Sequence, residues 1–155
     1  MHFGLILPNL GLHQLAFQSL CSINSLIDAQ TPHTFSIFQE DIEHAVVTPK
    51  ASVFNLINIV DFDGILIATT IDNCITMRKS TTTARQMFYV WDLEWTRSTH
   101  NYLHSVQAFH GVDLIARSEE HAKAITGFSN RHCAAIIPDI NFASIIEWVE
   151  NEVDE

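Results

Sequence analysis

Basic residues are scarce. The 155-residue chain has 8 Lys and Arg against 18 Asp and Glu, a formal net charge of −10. Sequence-independent nucleic-acid binding depends on neutralising phosphates with Lys and Arg, so no nucleic-acid partner is expected. An anionic membrane surface is disfavoured for the same reason. Cysteine is also sparse. Cys21, Cys74 and Cys133 are odd in number and far apart, which suits neither a disulfide frame nor a zinc site; they read as small buried residues in a reducing cytoplasm. No apolar run reaches the ~18 residues of a membrane span. The opening MHFGLILPNLGLH is apolar but lacks a basic leader and a small-residue cleavage site, so it reads as a first strand. Among only five glycines there is no G-x-G-x-x-G run. Gly11 stands alone in the first loop, where its expected job is to let the chain turn. No cofactor or metal is implied.

What the chain does have is core. Hydrophobic residues make up 47% and charged residues 17%, enough for one globular α/β domain spanning 1–155. The most informative stretch is 62–94, FDGILIATTIDNCITMRKSTTTARQMFYVWDLE. Its apolar runs, 64–68 and 86–91, are too short for helices and too continuous for half-exposed strands. Such runs suit strands of a parallel sheet buried on both faces. The first stops at Thr69 and Thr70, the second at Asp92. In open α/β sheets ligands bind beyond the carboxyl ends of the strands, so these polar residues mark where a site belongs.

The remaining elements follow from periodicity and punctuation. A strand is expected at 3–7 and a helix at 12–28, with Leu12, Leu15, Ala16, Leu20, Ile23 and Ile27 at helical spacing. Strands are expected at 33–38 and at 45–48. Pro49 then opens a helix with Val53, Phe54, Leu56 and Ile57 on its buried side, although 57–60 also suits a strand. The segment after Thr70 forms a short helix. A helix at 99–109 puts Tyr102, Leu103, Val106 and Phe109 inward and ends at Gly111. A strand at 112–116 leads to a helix capped by Ser118, with Glu119 and Glu120 at its positive end. A strand at 132–137, stopped by Pro138, leads to a last helix capped by Asn141 or Ser144 and carrying Ile145, Ile146, Trp148, Val149 and Val153. The acidic tail, 150–155, is expected to fray. Strands alternating with helices predict a Rossmann-like, mostly parallel sheet with helices on both faces.

Four short motifs occur in order: Ile67-Ala68-Thr69-Thr70; Phe88-Tyr89-Val90-Trp91-Asp92-Leu93-Glu94; Val112 to Ala122; and Ile136-Ile137-Pro138-Asp139-Ile140-Asn141-Phe142. Together they resemble the amino-terminal, acceptor-side domain of GT-B fold glycosyltransferases. The first resembles an "ATT"-type strand end and the second the segment Y-x-Q-D-x-E, with Trp91 in place of the usual Gln. The third resembles the following strand and helix, and the fourth the P-x-x-(D/N)-x-x-x-F run at the domain exit. The resemblance covers roughly the last 90 residues; the first 60 correspond by element order alone. It implies a sugar-transfer protein whose reaction lies between two domains. The donor-binding domain is not in this chain, so a second polypeptide would have to supply it.

On that resemblance Asp92 is the acceptor-side acid, Asn9, Thr69 and Arg117 line the cleft, and Asp139 sits at the domain exit. Each candidate also has a plainer reading. Asp92 and Glu94 could position or deprotonate an acceptor hydroxyl, or could cap and salt-bridge the next loop. Thr69 and Thr70 could hold an anion or cap a helix. Arg117, beside Ser118, could clamp a phosphate or carboxylate, or could pair with Asp92 or Glu94. His100, His104 and His110 have partial metal-ligand spacing but no completing carboxylate or cysteine. Cys74, near a helix start, could have a lowered pKa. Trp91, Trp95, Trp148 and Phe142 suit a core or an interface better than a sugar platform. The competing function is a non-catalytic binding module, possibly a homodimer through the surface a second domain would cover. A small nucleotide-binding regulator is a third option.

Overall fold

Alternate residues of each inner strand enter opposite hydrophobic layers, which makes this sheet a two-faced core. The computed structural model describes residues 1–97 and 99–153, and the side chains of these except at 99–101 and 153. The strands are β1 (His2–Leu7), β2 (Thr34–Gln39), β3 (Ser52–Asn55), β4 (Ile65–Ala68), β5 (Arg85–Tyr89), β6 (Asp113–Ala116) and β7 (Ala135–Ile136). They form one sheet in the order β3-β2-β1-β4-β5-β6-β7. All six pairings are parallel. Phe3, Leu5, Leu7, Ile67, Met87 and Tyr89 face one layer; Ile6, Leu66, Ala68, Phe88 and Val90 face the other. The Rossmann-like α/β architecture expected from the apolar runs is the one observed.

The helices are α1 (Gln14–Asp28), α2 (Ile71–Lys79), α3 (Thr99–Ala108), α4 (Glu119–Ser129) and α5 (Phe142–Val153). Leu15, Leu20 and Ile23 of α1 and Ile145, Ile146 and Val149 of α5 pack on one face of the sheet. The other face receives Ile71, Cys74 and Met77 of α2, Ala108 of α3 and Ile125 of α4. Strand order reverses between β1 and β4. All seven strands run the same way, so the segments after β1, β4, β5, β6 and β7 share one rim. Asn9, Thr69, Asp92, Arg117 and Asp139 follow those strands in turn.

Several segments differ from expectation. Residues 45–48 are not a strand: they cross the sheet end as loop, with the Val46 amide on the Leu10 carbonyl at 2.8 Å. Val46 and Val47 pack against the core. Pro49 does not open a helix; β3 follows instead, then a 3-10 segment, Leu56–Asp61. The Asn55 side chain caps that segment by accepting from the Ile57 amide. Phe54 and Ile57, expected inside, are 41% and 74% exposed. Leu12 precedes α1 and is exposed.

Helix α3 is rotated from its expected orientation. Ser105 is buried and Leu103 is 63% exposed. The small residues Ser105 and Ala108 face inward, while Tyr102 packs edge-on against Phe128 at 5.1 Å. The acidic tail is helical through Val153, because Arg85 holds Glu152 at 2.5 Å as well as Asp113 at 2.7 Å, and lies over Trp148. Residues 154–155 lie outside the described residues. No described helix is long and apolar enough to cross a membrane.

Two glycines test the backbone with opposite signs. Gly64 leads into β4 at φ +113°, and a Cβ there would meet the His2 carbonyl. Gly127 lies exposed within α4 with nothing near a Cβ. Gly64→Ala should lower the unfolding free energy by about 1–3 kcal/mol. Gly127→Ala should raise it by about 0.5–1 kcal/mol, both read from urea denaturation.

Candidate functional site

Around the strand reversal, the polar residues are committed to the fold. The Asn9 side chain accepts from the Gly11 amide at 3.0 Å and meets His13 Nε2 at 2.9 Å. His13 Nδ1 accepts from the Ala16 amide and so caps α1. That bond puts the proton on Nε2, which donates to Asn9. The Glu43 carboxylate packs against Gly11, where a side chain would make it move aside. Thr69 donates its hydroxyl to the Ile6 carbonyl at 2.7 Å, stitching β4 to β1 in the buried sheet. Thr70 accepts from the Asn73 amide as the cap of α2. Here the plainer reading of both threonines describes their bonding.

The β5 end carries the two predicted acids. Asp92 is paired with Arg97 at 2.7 Å, with both side chains partly exposed. Glu94 accepts from the Ile71 amide at 3.0 Å and so caps the start of α2 from another loop. Burial raises its carboxyl pKa; the Ile71 bond opposes this, and the nearby Asp72 and Asp92 add to it. Arg117 bonds to neither acid. Its guanidinium lies 4.0 Å over the Trp91 ring and donates to the Trp91 carbonyl at 3.3 Å. Its Nε is buried without a hydrogen-bond partner.

Beyond β6 and β7 the rim opens into a pocket of about 330 Å³ lined by Arg117, Ser118, His121, Pro138 and Asp139. Ser118 caps α4 by accepting from the His121 amide, and His121 Nδ1 accepts from the Arg117 amide at 3.2 Å. Burial, with Arg117 adding, lowers the His121 pKa from 6.5. At neutral pH the ring is therefore uncharged with its proton on Nε2. Asp139 lines the same pocket from a strained backbone. It and Ile140 are consecutive left-handed residues, at φ +54° and +47°. Such conformations cost about 1–3 kcal/mol each and persist only where the surroundings enforce them. Buried Tyr89 does so: its hydroxyl donates to the Ile137 carbonyl at 2.7 Å and accepts from the Ile140 amide at 2.8 Å. Burial keeps that phenol protonated.

Of the residues singled out from the sequence, Arg117, Ser118 and Asp139 share this pocket, although Asp139 was expected at the domain exit and not in the cleft; His121 and Tyr89 were not singled out. The signal for His121 was its position three after the Ser118 cap, where a side chain folds back on the helix start. Other candidates fall elsewhere. A larger cavity, about 500 Å³, lies between Leu56–Asp61 and α2; its walls are mostly apolar and it lies off the 117–139 end of the rim. Cys74 is corrected outright. Its thiol is buried against the Ala108 carbonyl and its pKa is pushed up to about 12, so it is no thiolate. His104 lies 3.5 Å from Asp72, and no metal-holding group of His, Cys, Asp or Glu occurs among the described residues. The His100 side chain lies outside them.

The raised Glu94 pKa gives a stability test. The native state holds this proton more tightly than the unfolded chain, so ionised Glu94 weakens the fold. Stability is lost as pH rises through the ordinary 4.5 to the folded value. Urea denaturation should show wild type gaining on Glu94→Gln at about pH 4 relative to about pH 7. Equal differences at both pH values would contradict it.

No protein-family model, curated protein or solved structure matches this chain.

Proposed function

We propose that this chain is the acceptor-binding half of a glycosyltransferase-like system and needs a second polypeptide to supply the sugar donor. The observation that carries the reading is the mixed lining of the 117–139 pocket. Its lining can donate, through the Arg117 guanidinium, the His121 N–H and the Ser118 hydroxyl, and can accept, through Asp139. An anion would meet Asp139 within a chain of net charge −10, and a cation would meet Arg117. A neutral polyhydroxylated ligand satisfies both kinds of group, because each hydroxyl donates and accepts.

The strand reversal supports the division of labour. A dinucleotide needs free amides and close backbone approach there. In this chain Asn9 occupies the Gly11 amide and the Glu43 carboxylate fills the approach. Asp92 remains the proposed acceptor-side acid. In that role it would exchange Arg97 for the acceptor hydroxyl as the second polypeptide closes.

A second reading, an interaction module without catalysis, is favoured by α3, whose outer side exposes Leu103 at 63% and Val106 at 44%. A homodimer through this helix is its simplest form.

Thermal unfolding tests the first reading. Methyl glycosides should stabilise the isolated chain, by about 2.7 kcal/mol at 100 times their dissociation constant. UDP- and GDP-sugars should not stabilise it, and Arg117→Ala should abolish the glycoside effect. Saturable stabilisation by a nucleotide sugar would contradict it. Dimers that dissociate on Leu103→Glu, with no glycoside effect, would favour the second reading.

A further inference from the structure

Asp139 belongs to two pockets at once. On one side lies the polar pocket with Arg117, Ser118 and His121. On the other, a pocket of about 410 Å³ runs between α1 and the start of α5, lined among others by Phe17, Gln18, Leu26, Asn141 and Ala143. At the junction the Gln18 amide nitrogen reaches Asp139 at 3.5 Å, and its carbonyl oxygen is buried without a partner.

The two arms offer different chemistry. In the second, several polar groups are already used within the fold. Ser22 accepts from the Phe142 amide, Ser25 donates to the Cys21 carbonyl, and Asn141 caps α5 through the Ala143 and Ser144 amides. Phe17 lines the same arm with half its surface exposed. An apolar group laid there would cover Phe17 and Leu26 while breaking none of these hydrogen bonds. In the first arm His121 and Arg117 line the same pocket as Asp139.

Resting on the acceptor reading above, we propose that the two pockets form one site for a neutral amphipathic glycoside. Its sugar hydroxyls lie between Asp139 and the donors of Arg117, Ser118 and His121. Its apolar aglycone lies along α1 against Phe17 and Leu26. Asp139 is the carboxylate that orients the sugar, and the strained 139–140 backbone, held by Tyr89, sets its position at the junction. A neutral head group is required because Asp139 is exposed in a chain with ten excess negative charges. The proposal assigns Phe17 to ligand selection, which explains a large aromatic left half exposed on a helix whose other apolar positions mostly turn inward.

The test is calorimetric titration of the whole chain with matched methyl and hexyl β-D-glucosides and β-D-galactosides. At least one hexyl glycoside should bind tenfold or more tightly than its methyl counterpart, since each buried methylene adds to the transfer free energy. Phe17→Ser should reduce that advantage to under threefold and leave the methyl glycoside unaffected. Asp139→Asn should weaken both by at least tenfold. Asn is well tolerated at left-handed φ, so this variant is expected to keep the fold, which its amide spectrum will report. Methyl glycoside binding with no gain from the hexyl chain would overturn the amphipathic site and leave the acceptor reading standing. Binding of neither would overturn both. Unchanged affinity in folded Asp139→Asn would remove Asp139 from the site.

Discussion

A parallel sheet buried on both faces constrains everything else here. Its inner strands need apolar side chains in both directions, so polar chemistry is expelled to the strand ends. Because every pairing is parallel, all seven carboxyl ends share one rim. Within that frame the rim is uneven. Its part near β1 and β4 is tied down by side chains bonding the backbone, as with Thr69 on Ile6 and Asn9 on Gly11. Its part near β6 and β7 has a guanidinium, an imidazole and a carboxylate lining one pocket.

The inner strands were the most legible part of the sequence. Runs such as ILIA and MFYV carry their burial in composition, and Ser118 with Glu119 and Glu120 carries the start of α4. What failed were segments whose structure depends on tertiary partners. Residues 45–57 contain apolar residues at spacings that fit helix or strand equally; the free edge of β2 decided for β3, and the Asn55 cap for a 3-10 segment. In α3 the hydrophobic spacing pointed Leu103 and Val106 inward. Close approach favoured Ser105 and Ala108 instead, and the ring cluster of Trp95, Phe109 and Phe128 fixed the orientation.

The site was legible by position rather than by role. Strand ends located Asp92, Arg117 and Asp139, but no sequence pattern shows that Arg97 takes Asp92 while Trp91 takes Arg117. Nor does it show that a tyrosine inside β5 holds two left-handed residues some fifty positions later. Tyr89 links core to rim. Its ring is part of the hydrophobic layer and its hydroxyl bonds the backbone at 137 and 140, so the packing that stabilises the sheet also fixes the backbone that carries Asp139. The acceptor reading proposed above rests on the mixed donor and acceptor lining of this pocket.

The central claim is that binding takes place at the β5–β7 end of the rim and not at the strand reversal. Amide hydrogen exchange of the chain at saturating methyl glycoside tests it most directly. The account predicts added protection in segments 117–121 and 137–141, with none at 9–13. Protection centred on 9–13 and 69–71, or spread with no preference for the β6 and β7 ends, would contradict it.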